Sequence, residues 1–122
     1  MTESVFIIGK ILLGGYLLFM GLNHFVKMGH LVGYAKSKGV PLAEVGVPLT
    51  GAVLITSGIG VLFWYYAEIA LIMTSAFLIV ITFVMHRFWE ESDPGARMSD
   101  QINFTKNLGL LGAVLVTLSF LV

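Results

Sequence analysis

Three histidines and no cysteine bound the chemistry open to this chain. His24 and His86 each close a long apolar run, and near the same boundary the sequence offers Asn23, Glu44, Arg87, Lys106 and Asn107. Imidazole is accessible in its neutral and charged forms near neutral pH. A His/Asn/Arg pocket at headgroup depth could therefore hydrogen-bond a quinone carbonyl or pass its protons. The plain alternative is that these side chains cap helix ends and meet water. A haem between His24 and His86 would lie half exposed at the ends of the runs and is not expected. His24, His86 and Glu44 have ligand types suited to zinc or copper, but no close spacing joins them, so no metal is assigned. His30 stands on an amphipathic stretch and reads as an interface residue. Without a thiol, a phosphate-binding loop, a nucleophile elbow or an HExxH pattern, no other catalytic constellation is present.

The elements that must position these groups follow from composition. Of 122 residues, 57% are hydrophobic and 11% charged, with 14 glycines besides, whereas a soluble domain needs roughly a quarter of its residues charged. Seven Lys/Arg balance seven Asp/Glu, so no positive field exists to neutralise phosphates and nucleic acid is excluded as a partner. A helix crossing roughly 30 Å of hydrocarbon needs about 20 apolar residues. Four such runs are predicted at about Val5–His24, Val45–Phe63, Ala67–His86 and Asn103–Val122. No period-two alternation points to a membrane barrel. The fold class is therefore all-α: one integral membrane four-helix bundle over 1–122.

Met28, Leu31, Val32 and Ala35 recur at i, i+3, i+4 and i+7, with Lys27, Lys36 and Lys38 on the remaining arc. This predicts a short amphipathic helix in the membrane interface between spans one and two, its lysines near lipid headgroups. Gly39 and Pro41 would end it, and Pro48 would fall in the first turns of span two. Glu90-Glu91-Ser92-Asp93-Pro94-Gly95 reads as a polar turn and loop. Six of seven basic residues (Lys27, Lys36, Lys38, Arg87, Arg97, Lys106) lie in or beside the first and third connections. The positive-inside rule puts those connections in the cytoplasm and both termini outside a plasma (inner) membrane. The first run begins with Glu3, carries no basic start and has no small-x-small site after it, so it is expected to stay in the mature protein.

On the opposite face Lys10 is the one charge well inside a span. It is expected to snorkel or to pair with Glu68. Gly14 and Gly21 in span one and Gly51 and Gly58 in span two are spaced seven apart, and Gly109 with Ala113 gives a small-xxx-small pattern in span four. All six are expected to pack helices, because lipid offers no hydrophobic drive and close backbone approach must supply the contact.

The stretches GGYLLFMGLNHF (Gly14–Phe25), YAKSKGVP (Tyr34–Pro41), SGIGVL in span two, His86 at the end of span three and FTKNLGLLGAVL in span four resemble the DoxX/DoxD-like family of small four-helix membrane proteins. The resemblance covers nearly the whole chain. Where many members open span two with a glutamate, this sequence has Pro48-Leu49-Thr50-Gly51. It implies a membrane subunit linked to redox work and to the quinone pool, with other membrane subunits or a second copy as partners and no cofactor of its own beyond a quinone. Two functions follow as expectations: a redox-complex subunit forming a quinone or small-anion site around Asn23, His24, His86, Arg87 and Asn107, or a non-catalytic accessory subunit of a larger enzyme such as a terminal oxidase or membrane monooxygenase. The accessory reading expects a bulky change such as Gly58→Leu to release the subunit from its complex.

Overall fold

Backbone amides in hydrocarbon find no water to bond, so an apolar run must close its own hydrogen bonds as a helix. The computed structural model describes residues 2–122 and bears this out with helices and no strand among them. In chain order these are α1 (Thr2–Val26), α2 (Met28–Ser37), α3 (Ala43–Phe63), α4 (Ala67–Met85), a 3-10 turn (Phe88–Glu90) and α5 (Pro94–Ser119). Four helical segments, α1, α3, Ala67–Glu90 and α5, are long and apolar enough to cross a membrane. The protein is a multi-pass helical bundle, with α2 as the short helix between the first two spans.

Three differences from the sequence expectations have local causes. α5 starts at Pro94, not near Asn103, because Asp93 caps it. The Asp93 carboxylate accepts the Ala96 N–H at 2.9 Å, and Pro94, with no N–H to lose, takes the first helical position. Pro94 and Gly95, expected in the polar turn and loop, are therefore helix, as is the polar stretch from Arg97 to Gln101. The second difference concerns α2, whose apolar face does not lie in lipid. Ala35 is buried with Ala43, Val47 and Met85, and Met28, Leu31 and Val32 pack against that cluster. α2 thus lies across the end of the bundle, against α3 and, more lightly, α1. The third difference is that Gly109 and Ala113 do not pack within the chain. A Cβ at Gly109 would meet open space, and Ala113 is exposed.

Helices pack in sequence order, α1 on α3, α3 on α4, α4 on α5. The α1–α3 contact is the closest, and glycine makes it so. A methyl at Gly58 would sit 2.6 Å from the Leu18 nitrogen and 2.9 Å from the Gly14 carbonyl. One at Gly14 would sit 2.7 Å from the Leu62 nitrogen, and one at Gly51 2.7 Å from the His24 Cβ. Gly21 lies as close to Ile55. Gly58 thus packs α3 on α1 inside this chain. Leu17, Leu54, Leu71, Leu78 and Val114 form the core between the four long helices.

The α3–α4 turn is tight. Trp64 and Tyr66 adopt left-handed backbone (φ 52° and 51°), which costs an L-residue about 1–2 kcal/mol. Trp64 offsets part of this by stacking edge-on against Phe6 of α1 at 4.7 Å. At the other end Phe88 and Trp89 of the 3-10 turn meet Phe104 of α5 at 5.4 and 5.6 Å, and Phe83 of α4 meets it at 5.3 Å. Among these groups Trp64 at one end and Trp89 at the other carry the polar ring edge that suits a membrane interface.

Gly58→Ala is expected to destabilise the bundle by about 2 kcal/mol, because the added methyl meets backbone and not a movable side chain. Gly109→Ala is expected to leave stability unchanged or raise it by under about 1 kcal/mol, since it gains helix propensity against no clash. Thermal unfolding in detergent, read by circular dichroism, separates the two; equal effects would contradict this packing.

Candidate functional site

At the end of the bundle covered by α2, one carboxylate organises its surroundings. Asp100 of α5 is only 3% exposed. Its Oδ2 accepts from the Lys38 ammonium at 2.5 Å, and its Oδ1 faces His86 Nδ1 at 3.5 Å. Lys38 stands between α2 and α3, and His86 directly follows α4. The ion pair therefore ties the α2–α3 connection to α5 and orients the imidazole of α4. Glu91 adds a second carboxylate 3.9 Å from the Lys38 nitrogen. Arg87 donates to the Lys38 carbonyl at 3.1 Å and pairs with Glu90 at 3.2 Å. Burial alone would push the Lys38 ammonium down. The hydrogen bond to Asp100 and the charges of Tyr34, Asp100 and Glu91 outweigh it and hold Lys38 above the ordinary lysine value of 10.5.

Beneath α2 lies a cavity of about 290 Å³ among α1, α3 and α4. Its walls are almost wholly apolar, and its ionisable side chains are His24, His86 and Tyr34. His24, at the end of α1, donates from Nδ1 to the Val47 carbonyl of α3 at 3.0 Å, with Thr50 Oγ1 at 3.1 Å. Thr50 itself donates to the Gly46 carbonyl at 2.8 Å. The ring of His24 also meets Phe77 of α4 edge-on at 6.4 Å. Gly46 keeps the space open, since a Cβ there would touch nothing within 4 Å. Val80, 56% exposed on the outer surface of α4, marks where the cavity reaches the lipid side.

Of the residues expected at this boundary, the structure brings His24 and His86 to one cavity, with Arg87 beside it. Glu44 does not join them. It forms an exposed ion pair with Lys36, because the first turn of α3 turns Ala43 and Val47 inward and leaves Glu44 outside. Asn23 and Asn107 are half-buried and make no side-chain hydrogen bond among the described residues. His30 is exposed. Among the described residues no three His, Asp or Glu side chains are grouped as a metal ion requires. On the opposite face Lys10 lies over the Phe6 ring at 4.9 Å, and the expected Lys10–Glu68 pair does not form among the described residues. Phe6 is one turn before Lys10, so the ammonium finds a partner on its own helix.

Asp100 and Lys38 were missed as site residues by reading the sequence, and one signal would have found the first. Asp93-Pro94 is a helix-start pattern. It puts Asp100 two turns into a helix, where a carboxylate facing the bundle must find a cation. The chain matches no protein-family model, no curated protein and no solved structure.

Lys38→Met is expected to cost about 3 kcal/mol of stability, because it strands the Asp100 carboxylate in a buried position. Glu44→Gln, at an exposed and solvent-screened ion pair, should leave stability nearly unchanged. Because the folded pKa of Lys38 is raised, its contribution is fully present below pH 10.5 and is lost as pH rises through the folded value. Denaturant midpoints in detergent at neutral and strongly alkaline pH check both points: the unmodified chain should weaken at the alkaline end through this pair, and Lys38→Met should show none of that component.

Proposed function

We propose that this chain is a membrane subunit of a quinone-linked redox complex and contributes a cavity for the ring of a quinone. The observation that carries the proposal is the pairing of two imidazoles, His24 and His86, on one otherwise apolar cavity at the end of a membrane bundle. A quinone ring needs apolar walls for its faces and one or two hydrogen-bonding groups at its edges, and the donor set here has that chemistry. A bound quinone would supply transport of electrons and protons through the lipid phase. The chain's own residues bind and orient the ring, and α2 shields it from water. Exposed Val80 at the cavity edge suits a ligand that arrives from the bilayer.

A small anion fits less well. The cations nearest the cavity are already engaged, Lys38 with Asp100 and Arg87 with Glu90. The resemblance to the DoxX/DoxD-like family favours the same redox class. In this proposal electrons are exchanged with a partner subunit that carries the redox centre. The positive-inside rule puts the α2 end on the cytoplasmic side of the plasma membrane.

The accessory-subunit reading has its own support. α5 packs on α4 and the 3-10 turn, and its outward face carries Thr105, Gly109, Gly112 and Val116 at helical spacing, all exposed. Small residues on an outward face let a neighbouring transmembrane helix approach closely. Such a contact would attach the subunit to its complex and is compatible with a quinone cavity at the other side of the bundle.

The full chain in lipid nanodiscs, titrated with a short-chain benzoquinone in its oxidised and reduced forms, is expected to bind at least one of them. Gly46→Leu fills the cavity without a backbone clash and should weaken binding at least tenfold, as should His24→Ala with His86→Ala. Binding unchanged in both variants would remove the cavity from the proposal.

A further inference from the structure

The hydrogen bonds behind the two histidines determine what each can offer the cavity. A backbone carbonyl only accepts, so His24 Nδ1, 3.0 Å from the Val47 oxygen, carries the ring proton. Thr50 is consistent with this, since its hydroxyl hydrogen goes to the Gly46 carbonyl and its lone pairs face His24. A neutral imidazole has one donor and one acceptor nitrogen, so Nε2 of His24 is left as an acceptor. His86 is arranged the same way. Its Nδ1 faces the Asp100 carboxylate, which accepts, so its Nε2 is again the acceptor. The charge of Asp100 is already matched by Lys38 at 2.5 Å, and the other charge felt at His86 is the cation Lys106. No unmatched anion remains to hold an imidazolium there. Tyr34, the third ionisable side chain of the cavity, can donate or accept and adds no preference, and the Thr50 hydroxyl is engaged with the Gly46 carbonyl.

We infer that the cavity selects the reduced, dihydroxy form of a quinone, because each of the two histidines lining it has its Nδ1 proton committed to a protein acceptor and keeps Nε2 as an acceptor that a hydroxyl donor can satisfy. The inference rests on the quinone reading above and specifies which form of the couple the resting site takes. An oxidised quinone brings two carbonyl acceptors and no donor, so it can make neither of these hydrogen bonds. A hydroquinone of the same size fits the same walls and donates at both edges. Asp100 acts here as a positioning residue: it touches no ligand, but it fixes which nitrogen of His86 bears the proton.

The test compares a decyl-substituted benzohydroquinone, kept reduced under anaerobic conditions, with its oxidised benzoquinone on the full chain in nanodiscs. The hydroquinone is expected to bind at least tenfold more tightly. Nitrogen-15 NMR of the ligand-free protein is expected to show His24 and His86 protonated at Nδ1 and bare at Nε2. Asp100→Asn substitutes a side chain that can donate to Nδ1, which moves the His86 proton to Nε2; the preference should then fall towards parity. Should that variant fold poorly, His24→Phe removes one acceptor and should cut the preference on its own. Equal or tighter binding of the benzoquinone, or a proton at Nε2 of either histidine in the unmodified chain, would overturn the inference and leave the quinone cavity standing. Failure of both forms to bind would overturn both.

Discussion

A carboxylate with almost no solvent exposure, at the edge of a membrane bundle, has to find a cation or lose its charge. Asp100 finds Lys38, and much of the α2 end follows from that pairing. Lys38 can reach α5 only if α2 lies across the end of the bundle. Once α2 lies there, Ala35 and its neighbours bury against Ala43, Val47 and Met85. The same carboxylate faces His86, so the tie that closes the bundle end also sets the hydrogen bonding of a cavity side chain. Arg87 reinforces the arrangement from α4 by holding the Lys38 carbonyl. The α2–α3 connection, the segment after α4 and the helix α5 are thereby fixed to each other.

The interior follows a different rule. Between apolar helices in lipid, burial of one more leucine gains little, because the lipid it leaves is equally apolar. What holds α1 to α3 is the approach permitted by Gly14, Gly21, Gly51 and Gly58, where backbone meets backbone too closely for any side chain. That close contact has a consequence at the cavity. Gly51 admits the His24 Cβ against α3, which brings the imidazole within hydrogen-bond distance of Val47 and Thr50. The packing glycine and the candidate ligand contact are parts of one local geometry. α4 meets α3 on its other flank, so space is left under α2 between α1 and α4. Gly46, with no side chain, keeps that space unfilled.

How much of this could be seen in the sequence depends on the kind of signal. The spans were legible because hydropathy over about 20 residues is a property of one segment. So was α2, whose apolar positions recur at helical spacing. The glycine spacing in spans one and two was legible for the same reason, though it could not say whether the contact was internal. Gly109 and Ala113 show the limit, since an identical pattern there faces outward. Asp100 was hidden among the acids of a stretch read as a polar connection, and its partner lies 62 residues away. Glu44 was misjudged because boundary depth fixes the height of a residue along its helix but not its direction around the axis. His24 and His86 were joined correctly as two ends at one boundary, yet only the structure supplied the Val47 carbonyl and the Asp100 carboxylate behind them.

Those two partners explain why polar groups are tolerable at this depth. An imidazole facing an apolar cavity would lose two hydrogen bonds to water. Each histidine here recovers one from fixed protein acceptors, and its other nitrogen remains available as an acceptor. Two such acceptors on one cavity call for donors, and its apolar walls call for apolar volume. A ligand that supplies the donors and also fills the apolar volume meets both demands at once. The polar residues that hold the bundle end together therefore also set the chemical character of what the cavity can accept.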